Sequence, residues 1–177
     1  AILTSPLLHG FIAAARLNIE AGSQRQQNEE AQNIMEIIKR YSVEDIARFF
    51  NYPDNGQVVF EIKPGQAVYE AIPDGAGGFV RASEEEQSCI RSEVTDGYGT
   101  YYTYEFREKL NLPYYFAIEN VKTGREFYDF LITIDGTAYR ITDSYGNPTG
   151  HNSIRMPLLY DISKAGHAVA LQSNEAE

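Results

Sequence analysis

A segment without proline, from Leu7 to about Arg40, constrains the fold of this chain more than any other feature. Apolar side chains recur along it at helical spacing, so that they form one stripe on a helix surface. The stripe contains Leu7, Phe11, Ala14, Ala21, Ala31, Ile34, Met35 and Ile38. This spacing predicts a single continuous helix, in which Gly22 is a mild weak point that costs about 1 kcal/mol relative to alanine.

A second, shorter helix is predicted directly after the first. Ser42 offers an N-cap, and Ile46, Phe49 and Phe50 follow it at helical spacing before Pro53 ends the helix. The two helices together account for the first 50 residues.

Strand patterns replace the helical ones after residue 56. Compact stretches rich in β-branched and aromatic residues indicate strands at Val58–Ile62, Val68–Ile72, Tyr101–Phe106 and Tyr114–Ile118. Helices followed by antiparallel strands predict an α+β fold, in which a long N-terminal helix packs on an antiparallel β-sheet. We interpret residues 1–177 as a single domain, with a helical part in residues 1–50 and a mainly β part in residues 57–177.

The clearest local signal among the strands is a hairpin in residues 130–142. Asp135-Gly136 supplies the two-residue turn that a tight β-hairpin needs. In that register Phe130 lies opposite Ile141 on one face of the sheet. We therefore expect the two halves of this segment to be neighbouring strands.

Composition excludes several classes of partner. The formal net charge is −10 and the pI is about 4.8, so phosphate backbones and anionic lipid head groups would repel the chain. We expect no nucleic-acid partner. The single Cys89 excludes an internal disulfide, and no run of about 18 apolar residues is present to span a bilayer.

The residue types that usually carry chemistry are scattered along the chain. His9, His151 and His167 share no metal-ligand spacing, and Cys89 has no partner cysteine or nucleophile motif. The stretches Asp143–Asn147 and Gly75–Gly78 are interpreted as turns, since the first lacks the distal glutamate of a calcium loop and the second opens no helix. We therefore predict no catalytic residue, no cofactor and no metal site.

Tyrosine is unusually frequent in the middle of the chain. Of thirteen tyrosines, six lie between Tyr98 and Tyr115. Tyrosines suit a half-buried sheet face, and they also suit contact surfaces because they bury area at low entropic cost. Sheet packing is the plainer interpretation, and an adhesive or subunit-contact surface is the alternative.

The N-terminal segment resembles a known family. Residues Ile2–Asn18 look like the end of a hydrophobic helix passing into its amphipathic half, and Gln32–Lys39 looks like the segment that follows it in the same group. In these first 45 residues or so, the chain is similar to type IV pilins and pseudopilins, and closest to the pilin-like proteins of Firmicutes with a prepilin-type cleavage and methylation segment. The family's leader and cleavage site would lie upstream of Ala1.

The resemblance implies a function as well as a pilin-like fold. It implies a non-enzymatic structural subunit of a pilus or pseudopilus at the cell surface, anchored in the membrane by an upstream helix before it polymerises with other pilin-like subunits. The residues expected to serve helix assembly and packing are Leu3, Leu7, Leu8, Phe11, Ile12, Ile34, Met35 and Ile38. Two alternatives stay open: a membrane-tethered extracellular binding or adhesion module, and an enzyme of unrecognised type.

Overall fold

The computed structural model describes residues 17–54, 58–109, 113–135, 140–151, 158–162 and 169–172. Within them the chain forms two helices and ten strands. The helices are α1 (Leu17–Ile38) and α2 (Val43–Asn51). The strands are β1 (Ala67–Pro73), β2 (Phe79–Arg81), β3 (Cys89–Asp96), β4 (Gly99–Phe106), β5 (Pro113–Thr123), β6 (Glu126–Asp135), β7 (Arg140–Thr142), β8 (Pro148–His151), β9 (Leu158–Asp161) and β10 (Val169–Gln172).

The described strands form one large antiparallel sheet and two small ones. The large sheet has the order β10-β9-β6-β5-β1-β2, while β3 pairs with β4 and β7 pairs with β8. Strands β5 and β6 lie at its centre. The two strands bury residues on both faces. Their aromatic side chains, such as Phe116 and Phe130, point towards the helices, whereas Ala117 and Leu131 point to the opposite face.

Helix α2 covers the aromatic face of the central strands. The backbone N–H of Asp45 donates to the Ser42 side chain at 3.2 Å, which confirms the predicted N-cap. The helix buries one apolar face, and the ring of Phe50 contacts the ring of Phe116 with centroids 5.0 Å apart. Helix α1 runs through Gly22 without interruption and ends at Ile38, two residues earlier than predicted. The predicted start of this helix, at Leu7, lies outside the described residues.

The fold is mostly β, so the predicted α+β fold, a long N-terminal helix packed on an antiparallel sheet, is wrong. A periodic stripe shows that a segment is helical, but it does not show how much of the remaining chain is strand. Among the residues of α1 whose side chains are described, buried apolar ones begin only at Ala31. Strands β1, β5 and β6 supply most of the remaining core.

The predicted hairpin of residues 130–142 is also wrong. In the structure Phe130 lies opposite Asp161 of β9 and Ile118 of β5, whereas Ile141 lies opposite Gly150 of β8. Strands β6 and β7 therefore belong to different sheets. The turn itself, Asp135-Gly136, falls at the edge of the described residues.

One further predicted strand is irregular in the structure. Val58–Ile62 joins no sheet. Its apolar side chains pack against α2 instead: Val59 is buried, and the ring centroid of Phe60 lies 4.9 Å from that of Phe49. The predicted strands at Val68–Ile72, Tyr101–Phe106 and Tyr114–Ile118 are confirmed as parts of β1, β4 and β5.

Two phenylalanines of β6 test which face of the central strands holds the core. Phe130 is 0% exposed and Phe127 is 61% exposed. We expect Phe130→Ala to lower the free energy of unfolding by about 3–5 kcal/mol, because it leaves a cavity among packed aromatic rings. The matched variant Phe127→Ala should change it by less than about 0.5 kcal/mol. Urea denaturation measures both, and equal losses would contradict the assigned register.

Candidate functional site

The residues expected to serve assembly divide into two groups. Leu3, Leu7, Leu8, Phe11 and Ile12 lie outside the described residues. Ile34, Met35 and Ile38 are buried in the main hydrophobic core, together with the sheet residues Phe116 and Ile132. These three side chains hold α1 against the domain and offer no surface to a neighbouring molecule.

Strands β3 and β4 form a two-stranded ribbon of their own, paired over eight positions from Cys89–Phe106 to Asp96–Gly99. The two turn residues are Gly97 and Tyr98, and the Asp96 carboxylate accepts a hydrogen bond from the Tyr98 N–H at 2.8 Å. The root of the ribbon is buried at Cys89, and its tip is exposed. The ribbon therefore projects from the domain.

The tip of this ribbon carries exposed aromatic rings. Tyr98 is 100% exposed, Tyr101 47% and Tyr102 50%. We call these three residues the tyrosine tip. By contrast, Tyr114 is fully buried in the core. The tyrosine-rich stretch therefore contributes to sheet packing at Tyr114 and to an exposed surface at the tyrosine tip. That this surface makes contacts with another molecule stays a prediction.

Cations stacked on aromatic rings hold the ribbon against α2. The Arg91 guanidinium lies 4.7 Å from the ring centroid of Tyr52 and 4.5 Å from that of Tyr102, so it is stacked between them. Arg48 of α2 lies 3.9 Å from the ring of Tyr104. The backbone N–H of Arg91 also donates to the Tyr52 hydroxyl at 3.1 Å. These contacts fix the orientation of the ribbon as far as Tyr102, whose ring is half-exposed beside Arg91.

A buried carboxylate lies beneath the root of the ribbon. The Glu70 side chain is 0% exposed and accepts four hydrogen bonds. Its Oε2 atom accepts from Asn51 Nδ2 at 2.7 Å, from the Ser88 N–H at 2.8 Å and from the Ser88 hydroxyl at 2.9 Å. Its Oε1 atom accepts from Lys109 Nζ at 2.9 Å. We call Asn51, Glu70, Ser88 and Lys109 the Glu70 hub.

No spacing pattern in the sequence predicts the Glu70 hub, because its four residues lie far apart along the chain. One signal was available. Glu70 occupies an inward position of β1, since it alternates with the buried Val68, and a charge at such a position requires partners. The sequence shows that partners are needed but not which residues supply them.

A shallow cleft of about 270 Å³ lies between α1 and the segment that follows α2. Its floor is apolar, formed by residues such as Ile34, Ile37 and Phe60. At its rim, Lys63 Nζ lies 3.9 Å from a Glu30 carboxylate oxygen. The cleft is smaller than most small-molecule sites.

The other candidates from the sequence are turns or inert groups. The Asp143 carboxylate accepts hydrogen bonds from the N–H groups of Tyr145 and Asn147. These bonds lower the pKa of the Asp143 carboxyl group, and the bond from the Asn147 N–H has the largest effect. The Asp74 carboxylate accepts from the N–H groups of Ala76 and Gly78 in the same way. Both predicted turns are confirmed.

The histidines and the cysteine form no common site in the described part of the chain. His9, His167 and the side chain of His151 lie outside it, and Cys89 is buried. Across the described residues, no three His, Cys, Asp or Glu side chains are grouped so that they could hold a metal ion. No described helix has the length and hydropathy needed to cross a membrane.

Comparison with known proteins gives no relative: no protein-family model, curated protein or solved structure matches the chain.

Cys89 offers a direct probe of the ribbon root. Burial raises the pKa of its thiol to about 11. At pH 8 the folded chain should therefore react with a disulfide reagent such as dithionitrobenzoate at least about 100-fold more slowly than the chain unfolded in urea. Cys89→Ala supplies the blank. Equal rates would show that the ribbon root opens readily to solvent.

Proposed function

We propose that this chain is a non-enzymatic structural subunit of a type IV pilus-like or pseudopilus-like surface filament, and that it polymerises through its N-terminal helix. The observation that carries the proposal is the way α1 joins the β domain. Its last turns are fixed in the core by Ala31, Met35 and Ile38, whereas Arg25 and Gln26 are exposed. Gln27 and Asn28 are also buried. A helix held against the sheet from Gln27 to Ile38 connects the domain to the apolar segment that precedes it.

The length and sequence of the helix support this role. The 22 residues of α1 span about 33 Å. The residues before them, 1–15, are mostly apolar and resemble the pilin helix. In a filament such segments bury against those of neighbouring subunits, and a pilin-type apolar helix that is long enough to span the bilayer holds an unassembled subunit in the membrane. The partners are then other pilin-like subunits, and the β domain is displayed outside the cell.

Immuno-electron microscopy tests the proposal. Filaments sheared from the encoding organism are labelled with an antibody against the β domain, and a strain without the gene is the control. Label along the filaments supports the proposal. Label that stays on the cell body while unlabelled filaments are released would overturn it.

The apolar segment gives a sharper prediction. We expect the double variant Leu7→Asp/Phe11→Asp to reduce incorporation into filaments more than tenfold, since each charge placed in an apolar helix contact costs about 2.5 kcal/mol or more. Val58→Asp is the matched control, because Val58 is exposed on the β domain. Quantitative blotting of sheared filaments against whole cells measures the effect. Normal incorporation of the double variant would contradict polymerisation through this segment.

A second candidate function, an extracellular binding or adhesion module, is favoured by the tyrosine tip. Tyr98, Tyr101 and Tyr102 expose aromatic area at the end of a ribbon whose lower half is fixed by Arg91. Tyrosine is enriched at binding surfaces because a large ring with few rotatable bonds loses little entropy on binding. A filament subunit can carry such a surface, so the two functions are compatible.

For the binding function we expect Tyr98→Ser/Tyr101→Ser/Tyr102→Ser to lower attachment of the cells to their target surface more than tenfold, because interface tyrosines commonly contribute 2 kcal/mol or more, by rough estimate. The number of filaments should not change. Tyr145→Ser is the matched control, as Tyr145 is equally exposed on the β7–β8 turn. If the triple variant loses filaments as well, the tip is a contact between subunits and not a binding surface.

A further inference from the structure

The Glu70 hub places an amine, a carboxamide and a carboxyl group together in a buried position. One oxygen of Glu70 contacts Lys109 Nζ at 2.9 Å, and the other contacts Asn51 Nδ2 at 2.7 Å. The Glu70 side chain is fully buried, and that of Lys109 is 22% exposed. From this arrangement we infer that Lys109 and Asn51 join through an intramolecular isopeptide bond, with Glu70 as the acid–base catalyst.

The groups on each side of Glu70 are held in place. Asn51 is the last residue of α2, and its Nδ2 atom also donates to the Ala47 carbonyl at 2.9 Å, which orients the carboxamide. The backbone N–H of Lys109 donates to the Tyr114 hydroxyl at 2.7 Å, and its Nζ atom lies 5.8 Å from the Tyr114 ring. Holding two reactants in this way replaces the entropy cost of a bimolecular encounter.

The reaction begins with a proton transfer inside the ion pair. The Lys109 ammonium gives a proton to the Glu70 carboxylate, which leaves a neutral amine beside a neutral carboxylic acid. The direct contact of 2.9 Å between Lys109 Nζ and Glu70 Oε1 provides the path for this transfer. The amine is the nucleophilic form of lysine.

The amine then displaces ammonia from Asn51. The Lys109 nitrogen forms a bond to Cγ of Asn51, while the protonated Glu70, whose Oε2 atom contacts Nδ2 at 2.7 Å, is placed to give a proton to the departing nitrogen. The bond between Cγ and Nδ2 breaks. Nδ2 takes up two protons, one from the attacking nitrogen by way of Glu70 and one from the Glu70 acid itself, and leaves as ammonium. The sum is the Lys109 ammonium plus the Asn51 carboxamide giving a secondary amide plus an ammonium ion. No atom changes oxidation state, and Glu70 ends in its original form.

The bond would connect the end of α2 to the segment that leads into β5. Residues 51–109, which include strands β1 to β4 and the tyrosine tip, would then lie inside a closed covalent ring. Such a ring restricts the unfolded chain in the way that a disulfide does. It gives a chain with a single cysteine a covalent cross-link that reducing agents do not break.

Mass spectrometry of the purified, folded full chain tests the inference. The expected intact mass is that of the sequence less one molecule of ammonia. A tryptic digest should contain one branched peptide that joins Asn51 to Lys109, with no cleavage after Lys109. An intact mass equal to that of the sequence overturns the inference.

Matched variants separate this bond from other losses of ammonia. Lys109→Arg keeps the positive charge but has no amine that can form the amide, and Asn51→Ala has no carboxamide, so both should show their full sequence mass. A Lys109→Arg chain that still lacks one ammonia, for example through cyclisation of an asparagine, overturns the inference.

The role of Glu70 is tested with Glu70→Gln, which keeps the shape of the side chain and removes the acid–base function. Its circular dichroism spectrum is compared with that of Lys109→Arg to establish folding. A folded Glu70→Gln chain should keep its full mass, and one that cross-links to the extent of the original chain contradicts the catalytic role. If Glu70→Gln does not fold, the inference is decided by whether the original chain yields the branched peptide and whether the Lys109→Arg chain keeps its full mass.

Discussion

The burial of one carboxylate determines how the parts of this domain fit together. Burial of a carboxylate away from water is strongly unfavourable unless its oxygen atoms accept hydrogen bonds from the protein. The buried Glu70 side chain therefore requires hydrogen-bond donors close to both of its oxygens. Those donors come from the end of α2, the start of the ribbon at Ser88 and the segment before β5. Because Glu70 itself lies on β1 next to β5, one side chain positions a helix, the ribbon and the lead into the central strand relative to the sheet.

The two faces of the central strands are unequal, and this explains where the helices lie. On one face Tyr114, Phe116 and Phe130 present rings that need a thick covering, which α1 and α2 provide. On the other face Ala117 and Leu131 form a small cluster that partly buried side chains of the sheet itself cover. In the described part of the chain, both helices therefore pack on the aromatic face of the sheet.

The sequence predicted structure well where the cause is local. The cap at Ser42 and the turns at Asp74 and Asp143 depend on hydrogen bonds within a few residues, and the structure confirms each of them. The described part of the predicted first helix, α1, is also continuous. Strand pairing depends on competition between distant segments. Strand β7 follows β6 directly in sequence, but its Ile141 is exposed. Strand β9 instead places Leu159 opposite Ile132 of β6, and Leu159 is completely buried there. The partner that buries more apolar surface is favoured. Neither that competition nor the assembly of the Glu70 hub leaves a pattern in sequence spacing.

The ribbon links the buried hub to the exposed surface of the domain. A two-stranded ribbon is marginally stable by itself, so an aromatic tip is a defined binding surface only if its root is held. Here the root is held by the buried Cys89, by the stacking of Arg48 and Arg91 on tyrosine rings, and by Ser88 through Glu70. The entropy lost when a partner orders the tip is then small, because the fold has already restricted the ribbon. If the tyrosine tip binds a partner, as the second proposed function requires, its affinity would depend on residues that the partner does not touch, and a weakened hub would lower that affinity without changing any contact at the interface.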